Sequence, residues 1–134
     1  MKKTERKPEE MLPLTPTVFH ILLALADGDR HGYGIMQEVA QRTDGALHMG
    51  PGTLYGSIKR MLADGLIEPA GERPDPALDD ERRRYYHLTD FGQRVAFAEA
   101  QRLEQLVRIA RAKHLLGQPG VPGAQGISGI QGGA

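Results

Sequence analysis

Gly52-Thr53-Leu54-Tyr55-Gly56-Ser57-Ile58-Lys59-Arg60-Met61-Leu62-Ala63-Asp64-Gly65-Leu66-Ile67 carries the clearest structural signal in the chain. Leu54, Ile58, Met61 and Leu62 fall within about 100° of one another at the ~3.6-residue period, which predicts one buried face. The other face carries Thr53, Gly56, Lys59, Arg60 and Ala63, with Tyr55 and Ser57 at its edges. Gly50-Pro51 places proline in the first turn, where its missing N–H costs nothing, and Gly65 closes the helix. Such a helix is anchored on one side and offers small and basic groups on the other.

Upstream, Thr15-Pro16 is a start signal, with a capping hydroxyl before a proline suited to the first helical position. Phe19, Leu22, Leu23 and Ala26 follow at helical spacing, and Gly28 ends a helix expected to be largely buried. A second helix is predicted from about Tyr33, with Met36, Val39 and Ala40 on its apolar face and Asp44-Gly45 as its stop. Residues 1–13 are charged, hold two prolines and are expected to be a loose arm.

Downstream, Leu66-Ile67-Glu68 reads as a short strand. Arg73-Pro74-Asp75-Pro76-Ala77-Leu78-Asp79-Asp80 cannot continue it and reads as a loop. Arg82 to Leu88 is the return strand, with Tyr86 and Leu88 on one side and Tyr85 and His87 on the other. Thr89-Asp90 then opens a long helix, as cap and as favourable first-turn acid. Val95, Ala96, Ala100, Leu103, Leu106, Val107 and Ala110 form one broad stripe, opposite Gln101, Glu104, Gln105 and Arg108. At ~1.5 Å per residue, a helix of roughly 26 residues outruns a small domain, so the stripe is expected to be a dimer interface. From Gly117 to Gly132 glycine recurs every third residue, but with only Pro119 and Pro122 in support this reads as a flexible tail, not collagen.

The 134 residues hold one small domain, without cysteine, and with 17 basic against 17 acidic side chains. No disulfide, thiolate chemistry or cysteine zinc site is therefore available. No apolar run reaches the ~20 residues that span a bilayer, and the charged start leading into Pro8 has no signal-peptide core. A cytoplasmic protein without membrane contact is expected. The five histidines form no HExxH or other ligand spacing, and no serine sits in a nucleophile elbow. Gly32-Tyr33-Gly34 lacks the rest of a phosphate loop. No catalytic residue, metal or cofactor is expected.

The element order predicts a mainly α fold with a small β-hairpin: a winged helix-turn-helix over residues 14–89, then a dimerisation helix over 90–116 and the tail over 117–134. In that architecture the third helix enters the major groove, which is ~12 Å wide. Gly52 and Gly56 keep its exposed face low, Lys59 and Arg60 reach phosphates or guanine edges, and Thr53 and Ser57 serve either. Arg82, Arg83 and Arg84 stand at the base of the wing. Each feature also has a plainer reading. Lys59 and Arg60 suit a solvated face, Asp79, Asp80 and Glu81 can balance the arginines, and Tyr55 can pack at the core's rim. Zero net charge also fits a winged helix used only for protein contacts.

His31-Gly32-Tyr33-Gly34-Ile35, then Gly52 to Met61 running into Asp64-Gly65-Leu66-Ile67, then Arg83-Arg84-Tyr85-Tyr86-His87-Leu88-Thr89-Asp90-Phe91-Gly92, resemble the PadR family of transcriptional regulators. The resemblance spans about residues 14 to 116, with the three motifs in the family's order and spacing. It implies a winged-helix homodimer, usually a repressor, on a dyad-symmetric double-stranded DNA operator. Its single C-terminal helix looks like the family's short subgroup. Tyr33, Thr53, Tyr55 and Lys59 match positions where the family commonly touches DNA, and the arginines before Tyr85 match its wing. Met49-Gly50-Pro51 departs from the family in replacing the polar cap expected before Gly52. The resemblance also implies a small hydrophobic effector near the dimer interface, where the alanines of the stripe leave room and Phe19, Phe91 and Phe97 are candidate lining.

Overall fold

The Thr15 hydroxyl accepts the Val18 N–H at 3.2 Å, and Pro16 begins the first helix, α1 (Pro16–Leu25), in the computed structural model, which describes residues 6–72 and 84–117. Ile21, Leu22, Ala24 and Leu25 are its buried residues, while Leu23 and Ala26 are exposed and Phe19 is half-buried. The buried face is thus rotated from the expected one. A helix this uniformly apolar gives periodicity little to phase.

Strand β1 (Arg30–His31) runs straight into α2 (Gly32–Arg42), whose cap is His31: its Nδ1 accepts the Gly34 N–H at 2.8 Å. Asp44 and Gly45 end α2 with φ of 54° and 80°. Helix α3 (Pro51–Ala63) follows; Gly50 precedes it without a side-chain cap, in keeping with the departure at Met49-Gly50-Pro51. Leu54, Ile58 and Met61 are buried and Leu62 packs beside them. Gly65 ends α3 at φ 76°.

The sheet has three antiparallel strands in the order β1-β3-β2, with β2 at Ile67–Glu72 and β3 at Arg84–Leu88. Two differences from the sequence reading appear. Strand β1 is additional, because two residues carry no periodicity; it pairs Arg30 with Tyr86 and His31 with Tyr85. Strand β2 also continues through Pro69, which is tolerated because β2 is an edge strand and proline lacks only a donor. The register shifts between Pro69 and Glu72, where Gly71 has φ 95°. Tyr86 is buried and Leu88 packs on the core, as alternation requires.

Helix α4 (Asp90–Ala112) completes the chain's regular structure among the described residues. Thr89 caps it, accepting the Gly92 N–H at 2.9 Å, and the same hydroxyl donates to the Gly65 carbonyl at 2.6 Å. A Cβ on Gly92 would overlap the Leu66 carbonyl oxygen, so glycine is required there. Val95 is 0% exposed and belongs to the core with Ile21, Ile35, Leu54 and Leu66. This corrects its assignment to the dimer stripe, since its side chain is already covered by its own domain. Ala96 packs on that core as well. The described chain divides after Glu99 into two compact units, so the first turns of α4 belong with the winged unit.

The arm differs from its expected looseness from Arg6 onward. Pro8–Met11 forms a 3-10 turn, Met11 and Leu12 pack on the core, and Arg6 lies 4.5 Å over the Phe91 ring. No helix among the described residues is long and apolar enough to cross a membrane.

Two outcomes follow from this packing. Gly92→Ala must displace backbone at Leu66, at the upper end of the ~1–3 kcal/mol for overpacking, so the melting temperature should fall by about 10 °C or more. Calorimetry checks this. The second concerns His20, whose pKa is lowered below the ordinary 6.5 by burial first and by neighbouring Arg42 second. The fold therefore favours the neutral ring. That contribution is complete above pH 6.5 and is lost as pH falls through the depressed folded value. His20→Gln should lose less stability than the wild type as pH falls below 6.5, read from melting curves across that range.

Candidate nucleic-acid interface

The third helix owes its outward face to its inward one. With Leu54, Ile58 and Met61 held in the core, Gly52, Thr53, Gly56, Lys59, Arg60 and Ala63 are exposed, and Tyr55 and Ser57 are half-buried. A Cβ built on Gly52 or Gly56 would meet nothing within 4 Å. Glycine inside a helix costs about 1 kcal/mol relative to alanine. Nothing among the described residues requires either glycine, unlike Gly92.

Several arginines elsewhere among the described residues are paired. Arg30 is 2.5 Å from the Glu38 carboxylate and donates through Nε to the Ala24 carbonyl at 2.7 Å. Arg42 pairs with the same Glu38 at 2.8 Å and donates to the His20 carbonyl at 3.1 Å. Arg94 pairs with Asp90 at 3.4 Å. Lys59 and Arg60 share in none of these pairs and are exposed.

The motif His31-Gly32-Tyr33-Gly34 builds the shoulder beside α3. A Cβ on Gly32 would lie 2.5 Å from the Tyr55 hydroxyl oxygen, so the Tyr55 ring of α3 seats directly against the first residue of α2. A Cβ on Gly34 would lie 3.2 Å from the His31 ring, which fills that side. The His31 ring stands edge-on to Tyr85 of β3, with centroids 5.1 Å apart, and tilts toward Tyr33 at 6.4 Å. Tyr33 is exposed on the first turn of α2. One imidazole thus joins α2, β1 and the central wing strand.

The site residues read from sequence fall into three groups. Thr53, Ser57, Lys59 and Arg60 lie on α3, with Tyr55 seated at its rim against Gly32. Tyr33 lies on α2 and Arg84, exposed, begins β3. Arg82 and Arg83 lie outside the described residues. Sequence reasoning does not single out His31, whose signal is its place immediately before a glycine-bracketed tyrosine. It passes over His87 as well; the Nε2 of His87 is 2.6 Å from the Glu68 carboxylate, tying β3 to β2.

Helix α4 carries a second candidate surface. Beyond Glu99, Leu106, Val107 and Ile109 are 50%, 40% and 42% exposed, and Leu115 and Leu116 are exposed after the helix ends. Leu103 and Ala110 are half-buried and Ala100 is exposed. Ile109 lies outside the stripe expected from sequence. Glu99, which shares the stripe's face with Val95 and Leu103, is 2% exposed.

Comparison with known proteins places this geometry. The chain is 33% identical over 89 residues to the transcriptional regulator Rv3488 of Mycobacterium tuberculosis, covering 66% of this chain and 77% of that protein. It is 36% identical over 86 residues to an uncharacterized 37.1 kDa protein in transposon TN4556 of Streptomyces fradiae, 64% of this chain but only 22% of that protein. Among solved structures, a PadR family transcription regulator from Clostridium difficile aligns over 73% of this chain and 97% of its own, with TM-score 0.60 and 24% identity. A transcriptional regulator from Clostridium thermocellum gives TM-score 0.59 at 24% identity, over 72% and 87%. At such identities these two likenesses speak for the winged-helix fold alone. Residues 21–98 match the family described as the transcriptional regulator PadR-like family, and that match includes all of α2, α3 and the sheet. The chain belongs to the PadR-like family of transcriptional regulators.

Proposed function

We propose that the chain is a cytoplasmic, homodimeric repressor that reads a dyad-symmetric DNA operator with α3 and is released by a small hydrophobic effector. The observation that carries the DNA reading is the open space over Gly52 and Gly56, beside exposed Lys59 and Arg60. Gly56, in the helix interior, weakens α3 by about 1 kcal/mol, Gly52 lies in its first turn, and no described residue packs where either side chain would stand. A low face lets the helix backbone approach base edges, and neighbouring cations meet the flanking phosphates. Tyr33, Thr53 and Ser57 supply further donors, Tyr55 serves by seating α3 on Gly32 because its hydroxyl is buried there, and Arg82, Arg83 and Arg84 contact the flanking backbone from the wing.

Dimerisation rests on the second surface. Burying an exposed Leu, Val or Ile side chain is worth roughly 1.5–3 kcal/mol. Leu106, Val107 and Ile109 are left to water in the single chain, and a second copy of α4 covers them with the same residues in an isologous contact. Ala96, Ala100, Leu103 and Ala110 line the same helix. Two α3 helices then address half-sites about one DNA turn, ~34 Å, apart. An apolar effector acts by changing how the paired helices cross. Of the three phenylalanines considered as lining, Phe91 lies under Arg6, Phe19 is half-buried, and Phe97 is 64% exposed and so is the one open to a guest.

Gly56→Ala gives the sharpest test, because its two expected effects have opposite sign. With nothing within 4 Å of the new Cβ, helix stability should rise by roughly 0.5–1 kcal/mol, while affinity for DNA selected from a random pool by the wild type should fall. A stabilised variant with unchanged affinity would remove α3 from the interface. Lys59→Ala with Arg60→Ala should lower operator affinity by roughly 1–3 kcal/mol for each side chain that reads a base. For each of the two that instead neutralises a phosphate, the salt slope should drop by about one unit. For the dimer, Leu106→Glu with Val107→Glu places four like charges in the shared interface. Light scattering should then report monomer or aggregate; an intact dimer would assign the interface elsewhere.

A further inference from the structure

We propose that Arg6, in the N-terminal arm, is a positioning residue for DNA recognition that holds the end of α3 against the start of α4. The proposal rests on the reading of α3 as the helix that meets DNA. The end of α3 is held by two sets of contacts. From one direction Thr89 donates to the Gly65 carbonyl, and the Gly92 backbone lies against the Leu66 carbonyl. From the arm, Arg6 donates through Nη2 to the carbonyl of Asp64, the residue that caps the C-terminus of α3.

Three features make Arg6 suited to this task. A guanidinium at a helix C-terminus meets carbonyls that have no intrahelical partner, at the negative end of the macrodipole. Its Nη2 also lies 3.4 Å from where a Cβ of Gly65 would stand, so Gly65, already at φ 76°, leaves space for the cation. Finally, Cζ sits 4.5 Å above the Phe91 ring on the first turn of α4, a cation–π contact that ties the same guanidinium to the second helix. Arg94 approaches the same ring at 5.9 Å. One side chain therefore bridges the last turn of α3 and the first turn of α4. Met11 and Leu12, packed on the core at the end of the turn at Pro8–Met11, anchor the arm that carries it. Lysine cannot replace this fully, because a single ammonium cannot lie flat on the ring and reach the carbonyl together.

The consequence is specific. Without Arg6, α3 keeps its buried face but its C-terminal turn is less fixed, and a recognition helix that is loosely held loses sequence discrimination before it loses phosphate attraction. The test compares wild type, Arg6→Ala, Arg6→Lys and Phe91→Leu in the full chain. Two duplexes are used: the sequence selected from a random pool by the wild type, and a scramble of it. Arg6→Ala should lower affinity for the selected duplex by about tenfold, the scale of one charge-assisted hydrogen bond. Affinity for the scramble should change by less than about twofold and the salt slope should not move. Arg6→Lys should recover part of the loss and Phe91→Leu should reproduce part of it. In the same proteins, hydrogen exchange over residues 61–66 should accelerate in Arg6→Ala, because the Gly65 and Leu66 amides bond within this turn.

Equal loss on both duplexes with a reduced salt slope would overturn the proposal and make Arg6 a phosphate contact. Unchanged discrimination would overturn it too, whether exchange accelerates or not. A wild type that selects no sequence at all would instead remove the DNA reading on which the proposal stands. The exchange measurement would then still report whether Arg6 holds the turn.

Discussion

The carbonyl group of Leu66 is the point on which the winged unit turns. It lies where α3 has ended and β2 begins, and a buried carbonyl must be given a donor. Thr89 supplies one from its backbone N–H at 3.1 Å, and its hydroxyl lies at the same distance while donating to Gly65 at 2.6 Å. That hydroxyl also accepts the Gly92 N–H, so the residue that closes α3 is the residue that starts α4. Gly92 then brings the α4 backbone onto the Leu66 carbonyl, nearer than any side chain allows. Leu66, Ile67 and Val95 are all buried around this junction. Helix α3, the sheet and the first turns of α4 are consequently fixed to one another through two peptide groups. A change in the direction of those turns meets backbone there and not side chains that could repack.

Glycine has two opposed physical meanings in this chain, and composition alone cannot separate them. Gly92 and Gly32 are spaces occupied from within, by the Leu66 backbone and by the Tyr55 ring. Gly52 and Gly56 are spaces that no described residue occupies. The first pair is explained by folding; an alanine there is resisted by neighbours already in place. The second pair is not required by folding: Gly56, in the helix interior, opposes it slightly, and an alanine at either position meets no described neighbour. For this reason Gly56→Ala and Gly92→Ala, identical as chemistry, are expected to move stability in opposite directions.

Much of the fold was legible because its signals are local and redundant. The α3 stripe, the Thr15 and Thr89 caps and the alternation of Tyr86 and Leu88 each repeat a single period or capping rule over adjacent residues. What escaped depended on distant partners. The face of α1 could not be phased in a run apolar all round, and β1 has too few residues to show alternation. Strand β2 runs on past Glu68 through Pro69, because an edge position accommodates a proline. Val95 matched the stripe of α4 by period, but period cannot say whether the same chain or a second copy covers a residue. In the candidate site, residue types on α3 were readable, whereas the seating of Tyr55 on Gly32 and the reach of Arg6 across 58 positions to Asp64 were not.

Zero net charge does not oppose the proposed contact with DNA, because charge acts over short distances and this chain has sorted it. Screening confines exposed charges to about 8–10 Å at moderate salt, so the total over the molecule matters less than the sign of one face. Arg30 and Arg42 share Glu38, and Arg94 and Arg108 are held by Asp90 and Glu104 on their own helix. These pairs leave little field at a distance. Lys59 and Arg60 are exposed on a helix whose N-cap, Gly50, supplies no side-chain hydrogen bond. On the proposed reading, such a protein gains little from indiscriminate attraction to phosphate and relies on the fit of one low face. For a regulator that must find one site among many, weak attraction elsewhere is an advantage. The same reading makes recognition sensitive to how firmly that face is held, and the contacts around Leu66 are among those that hold it.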